Sequence, residues 1–314
     1  MARLWNRYMK VDIADGQAVY EYPPWGLEFR VLFTITPQAN TCTVTLYNLS
    51  RKTLSQLKRG LPVRVYAGYR EHEVGLVFAG ILDRWDTRYS GPDKLTNLHL
   101  VDGKDSVLSA RANKTWPKGT PCAAVVEDLF RMAGLRVGAI EIKGRAVYDK
   151  PVSFPATYTV ARALDQVLAD VELKTGTPHT WYVDLGYGFF LPRDTQYSAA
   201  TVEVTPQTGL IESPEQLNAL PEDIAGTQAE PRQWRIRTVF NFRIAANVKL
   251  VVRSNRLDGE FRVVSGEHIC TMKERFETDV VADEIRVTLK EFDYITSDER
   301  TKAPLPGIGE EEGE

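Results

Sequence analysis

Several separated stretches of this chain alternate polar and apolar residues with period two, which commits most of it to half-buried β-strands. Val63, Val65 and Ala67 alternate with Arg64, Tyr66 and Gly68, and Trp85, Thr87 and Tyr89 with Asp86 and Arg88. Ser90-Gly91-Pro92-Asp93 breaks the chain before Leu98 and Leu100 resume the alternation, a hairpin signal. Later, Ile236, Thr238, Phe240, Phe242 and Ile244 share one strand face, and Arg235, Arg237, Asn241 and Arg243 the other. Residues 248–253 lead into Asn255-Arg256-Leu257-Asp258-Gly259, a turn cluster with Asp-Gly at its end, and 261–264 form the return strand. Ile285, Val287 and Leu289 alternate with Arg286, Thr288 and Lys290 in a last strand.

Helical signals interrupt this pattern. Ser50 is the expected N-cap of a helix over 51–59, with Leu49 and Leu54 as a hydrophobic staple and Gly60 as the left-handed stop. Residues 104–200 differ in texture. Thr120-Pro121 reads as an N-cap followed by proline at the first helical position, with Cys122, Val125, Val126, Leu129, Phe130 and Ala133 at helical spacing and Gly134 as the end. A second helix starts near Thr159 and carries Val160, Ala163, Leu164, Val167, Leu168 and Val171 on one face. Short strands over 180–183 and 189–191 complete a small α+β domain.

The stretches 63–82 and 248–269 share a plan: an alternating strand, a polar turn, a Phe-led strand and a glycine. That makes a weak internal repeat. Between these halves, the 206–233 loop is rich in Pro, Glu and Gln, and loops of such length are functional or mobile. The ending APLPGIGEEEGE has four acids and no base and reads as a flexible tail.

Charge and length bound the function. Lys+Arg 39 against Asp+Glu 42 leaves no basic excess, so charge alone does not recruit nucleic acid. The 314 residues suggest two domains, or three small ones, with enough core to need no metal or disulfide staple. Cys42, Cys122 and Cys270 are far apart and form no Cys-x-x-Cys pair, which fits folding in a reducing compartment. The start MARLWNRYMKVDIADG has no apolar signal region, and the longest tight apolar run, 75–82, has strand length. The expectation is a soluble protein made in a cytoplasm, with no membrane partner.

No motif carries an obvious chemistry. His72, His99, His179 and His268 form no zinc-binding spacing. Glu71-His72-Glu73 reads as a solvated turn, and His268 as a hydrogen-bonded structural histidine. Gly186-Tyr187-Gly188 reads as a tight hairpin turn because it opens no helix that could hold a phosphate. Asp83, Asp86, Asp102 and Asp105 read as strand-end or helix-start acids explained by capping and solvation. No catalytic residue, cofactor or metal is predicted. The face of Arg235, Arg237 and Arg243 stands out: it is either a wet sheet face or a contact for an acidic partner surface, such as a neighbouring copy or the acidic residues 310–314.

The stretch NTCTVTLYNLSRKTLSQLKRGLPVRVYAGYREHEVGLVFAGILDRW resembles the first barrel of bacteriophage tail baseplate hub proteins. LTNLHLVDGKDSVLSARANKTWPKGT is similar to the family's next piece. Trp181-Tyr182-Val183-Asp184, Thr208-Gly209-Leu210-Ile211 with Ser213-Pro214, and FNFRIAANVKLVVRSNRLDGEFRVVSGEH follow in the same order, so the resemblance spans roughly 28–295. That family includes contractile-tail hubs and the late-control D protein of temperate phages.

The resemblance implies an α+β, mainly β chain. Its parts would be a first tube-protein-like β-barrel at 1–103, a small α+β domain at 104–200, a second barrel at 201–298 and an acidic flexible tail at 299–314. It further implies a homotrimer whose paired barrels form a pseudo-sixfold ring in a virion tail baseplate. The implied partners are the tail tube or distal tail protein, a central spike protein and other baseplate proteins, with DNA passing through the channel without specific binding. Two rival readings stay open: a tail-associated cell-wall-degrading enzyme, and a host-surface carbohydrate binder using Trp25, Trp181 and Trp234.

Overall fold

The computed structural model describes residues 6–102, 110–193, 201–217 and 232–289. Asp105, half of the 206–233 loop (218–231) and the acidic tail lie outside the described residues. The chain is mostly β, with 53% strand and 13% helix.

The first part holds β1 (Arg7–Ile13), β2 (Ala18–Tyr22), β3 (Leu27–Thr34), β4 (Thr41–Tyr47), α1 (Arg51–Gln56), β5 (Pro62–Tyr69), β6 (Glu73–Ser90) and β7 (Asp93–Val101). These strands pair antiparallel in the order β3-β4-β7-β6-β5-β1-β2. The middle part holds β8 (Lys114–Trp116), α2 (Cys122–Met132), β9 (Arg136–Ile140), β10 (Val152–Phe154), α3 (Val160–Thr175), β11 (His179–Asp184) and β12 (Tyr187–Pro192). Strands β9, β11 and β12 form one small sheet, and β8 and β10 another. The last part holds β13 (Thr201–Val204), β14 (Glu215–Gln216), β15 (Gln233–Val239), β16 (Lys249–Arg253), β17 (Leu257–Cys270) and β18 (Phe276–Leu289).

One pairing joins the two outer parts. The first half of β17 pairs with β16, while its second half pairs antiparallel with β3, from Ser265 opposite Thr34 to Cys270 opposite Phe29. The result is a single 13-stranded sheet, the β-body, whose path runs from β14 to β2. No closed barrel is found among the described residues. Strand β3 shows the alternation at work: Leu27, Phe29, Val31 and Phe33 are buried, while Arg30 and Leu32 face solvent. One large core collects residues from both outer parts, and a second core lies between α2, α3 and the small sheet. The small sheet is shared, because Tyr182 and Leu191 enter the first core while Trp181, Val183 and Phe190 enter the second.

Of the expected caps, Ser50 held, while Gly60 and Thr120 did not; α3 starts where expected, near Thr159. Thr159 caps α3 by accepting from the Arg162 N–H at 3.3 Å, and Gly176 ends that helix at φ +66°. Ser50 caps α1, but the helix stops at Leu57 instead of reaching Gly60, because Leu57 turns extended to enter the core. Helix α2 begins with Pro121 in the cap position, since the Thr120 hydroxyl donates to the Pro117 carbonyl instead.

Three expectations need correction. Asp258-Gly259 lies inside β17, opposite Val252 and Arg253, and is not a turn. Ser254 makes that turn, with its Oγ accepting from the Arg256 and Leu257 N–H groups at 3.2 and 3.0 Å. Trp85 and Tyr89 do not lie on a half-buried strand: beyond Asp83, β6 is exposed on both faces. Asp83 and Asp86 sit within β6, and Asp102 is 1% exposed instead of solvated. The two repeat stretches are the β5–β6 and β16–β17 hairpins, each a short strand followed by a long one.

Candidate functional site

The seam where β17 meets β3 is the feature that organises this molecule. Two charged pairs link the first and last parts, one of them across this seam. Arg30 of β3 pairs with Glu267 of β17, and Arg243 pairs with Glu73 of β6 at 2.6 Å. A cavity of about 360 Å3 opens beside this second pair, lined by Tyr69, His72 and Glu73 from the first part and Phe240, Phe242 and Arg243 from the last.

The structure separates the predicted arginine row. Arg235 and Arg237 do share a face of β15, but that strand ends at Val239, and Arg243 lies in the turn that follows. Each guanidinium has an acid beside it. Arg235 Nε donates to the Asp279 carboxylate at 3.0 Å, and Arg237 reaches Glu212 and Glu277. Cross-strand registry causes this match, because β18 places Asp279 opposite Arg237 and Val281 opposite Arg235. The arginine side chains remain partly exposed, so the face is charged but internally neutralised.

The histidines occupy structural places. His72 is exposed in the β5–β6 turn, and His99 contacts Asp86 at 2.8 Å. His268 is buried, with Nδ1 2.9 Å from Thr278 Oγ1 and its ring between Phe33 and Phe240. Burial holds its pKa down at about 3, so the ring is neutral. His179 is buried with Nδ1 2.7 Å from the Thr177 carbonyl. The Gly186 segment is a tight hairpin turn, with Leu185 and Gly186 both at positive φ between paired Asp184 and Tyr187. Among the described residues, no group of three or more His, Cys, Asp or Glu is placed to hold a metal ion.

The tryptophans named for carbohydrate binding do not form a platform. Trp181 and Trp234 are buried, their Nε1 groups donating to Asp165 and Glu284 at 2.9 Å. Trp25 is half exposed and packs edge-on against Tyr20. The same alternation that puts Ile236 inside also puts Trp234 inside, so this burial was readable in the sequence.

No protein-family model matches the sequence, and neither does any curated protein. Solved structures do match. The tail protein from Neisseria meningitidis MC58 aligns with a TM-score of 0.62 at 10% identity, covering 90% of this chain and 97% of that one. The 43 kDa tail protein of prophage MuSo2 from Shewanella oneidensis aligns at 0.63 and 10% identity, covering 89% and 98%. An E. coli component of the type VI secretion system, described as structurally similar to the T4 bacteriophage tail proteins gp27 and gp5, aligns at 0.59 and 9% identity, covering 88% and 77%. This chain thus shares its fold with these two tail proteins and with a type VI secretion component.

Proposed function

We propose that this chain is a structural hub of a phage tail baseplate, one that acts by presenting matched surfaces and not by catalysis. Three copies would form a ring in which the two hairpin-built halves of each chain stand in for two of six equivalent units. Such a ring joins a sixfold tail tube, or distal tail protein, to a threefold central spike and contacts other baseplate proteins. The observation that carries this reading is the β3–β17 pairing, which fuses two hairpin-containing halves into one continuous sheet. The resemblance to tail proteins over nearly their whole length supports it. Residues 83–90 of β6 are paired on one side, by β7 among the described residues, which leaves an edge for a neighbour. Near-neutral charge suits a channel that passes DNA without holding it. The exposed edges of Arg235, Arg237 and Arg243 belong to the partner contact in this reading.

The test is the mass of the full chain in solution, alone and mixed with the tube and spike proteins, followed by an image of the assembled tail tip. Three copies in a ring are expected, with Arg243→Glu weakening assembly but not folding. A lone copy at the tail tip overturns the proposal. So does peptidoglycan hydrolysis that is abolished by changing one or two acids.

A further inference from the structure

The β-body and the middle part meet at a polar joint that the hub reading does not use. Strand β11 carries Thr180 and Asp184 on the same side as Tyr182, facing the β-body. Thr180 Oγ1 donates to the Ile35 carbonyl at 3.1 Å. Asn40, 2% exposed, faces this strand from the start of β4. Its Nδ2 donates to the Val183 carbonyl at 3.2 Å and lies 3.4 Å from Asp184 Oδ1. Its Oδ1 accepts from the Thr34 N–H at 3.0 Å. Its backbone N–H donates to Asp102 Oδ1 at 2.9 Å, and its carbonyl accepts from the Asp102 N–H at 3.1 Å.

Asn40 thus ties together the end of β3, the end of β7 and the tip of β11. Asp102 is 1% exposed, and its Oδ2 has no hydrogen-bond partner among the described residues. Two carboxylates therefore converge on one asparagine, and neither forms an ion pair among the described residues.

We propose that Asn40, Asp102 and Asp184 form a proton-operated latch between the β-body and the middle part, closed while Asp102 is neutral and loosened as it ionises.

Among the described residues, the surroundings leave a proton as the available neutralising charge. The connection 35–40 and strand β4 carry no charged residue, and 185–192 carry none either. Glu28 and Arg30 of β3 point to the opposite face, where Arg30 meets Glu267. On β7, His99 is held by Asp86, and Asp93 and Lys94 sit at the far end. On β11, His179 lies at the other end and bonds Thr177. Among the described residues, the charge acting on Asp102 is that of Asp184. Burial, then this like charge, pushes Asp102 up to about 8, while burial pushes Asp184 up to about 6. Both native values exceed the ordinary carboxylate value near 4, so closure takes up protons. The latch is firmest at low pH. It weakens as pH rises from about 4, with the Asp184 contribution exhausted near 6 and that of Asp102 near 8.

Hydrogen exchange of the full chain from pH 6 to 9, corrected for the intrinsic rate, tests this at segment 35–40 and at the β11–β12 turn. The local opening constant should rise about tenfold per pH unit from 6 to 8, the slope of one released proton, and level off above 8. Asp102→Asn should flatten the rise, and Asp184→Asn should move the plateau to lower pH. An infrared carboxylic-acid band present at pH 7 in the unmodified protein and lost above pH 8 provides a readout that needs no variant. A flat profile in the unmodified protein, an unchanged slope in Asp102→Asn, or no acid band at pH 7 overturns the proposal.

Discussion

Val31 of β3 lies in register opposite His268 of β17, and that pair marks where two distant parts of the chain become one sheet. The His268 ring is neutral because burial pushes its pKa down to about 3. Its native value lies below the ordinary one near 6.5, so the stability resting on the neutral ring is full above about 6.5 and is lost as pH falls toward 3. Urea denaturation of the unmodified protein and of His268→Gln should show a stability difference that shrinks by about 1.4 kcal/mol per pH unit between pH 6 and 4. A pH-independent difference would contradict a buried neutral ring.

Gly80 is a second close approach. A Cβ built there would lie 2.3 Å from the Val101 carbonyl oxygen, at the point where β6 leaves β5 for β7. Backbone on both sides must shift, so Gly80→Ala should destabilise by about 1–3 kcal/mol. Gly91→Ala has open space and suffers only from φ +58°, at a cost of about 1–2 kcal/mol. Denaturant midpoints should therefore fall for both, with tightened packing around Val101 the added penalty at Gly80.

The arginines should divide by the burial of their partners. Asp279 is nearly buried, so Arg235→Ala strips hydrogen bonds from a carboxylate with little access to water and should cost about 1–3 kcal/mol. Arg243 and Glu73 are both well exposed, and Arg243→Ala should cost at most about 1 kcal/mol. Thermal melts of the two variants would reveal the reverse order if the row were a free basic patch.

Cys42, Cys122 and Cys270 are free and buried. Burial pushes the Cys42 and Cys270 thiols far above their ordinary range, and Cys122 is raised as well. Thiolate is the reactive form, so a thiol reagent at pH 8 should label none of the three quickly in the native protein and all three in denaturant. Rapid native labelling of Cys42 or Cys270 would mean that the seam opens readily.

The sequence by itself determined the strand-rich character, the start of α3 near Thr159 and the turn at Ser90–Asp93, because pleat, helical periodicity and turn chemistry are properties of neighbouring residues. Its resemblance to tail hubs pointed to the fold that solved tail proteins share. The tertiary structure decided which strand meets which. The β3–β17 pairing, the exit of Arg243 from β15 and the placement of Asp258-Gly259 inside a strand all depend on cores filled from far along the chain. Asp102 shows the limit most directly. Nothing local distinguishes a carboxylate at a strand end that faces water from one sealed beneath Asn40 and β11, because burial is set by what packs over it.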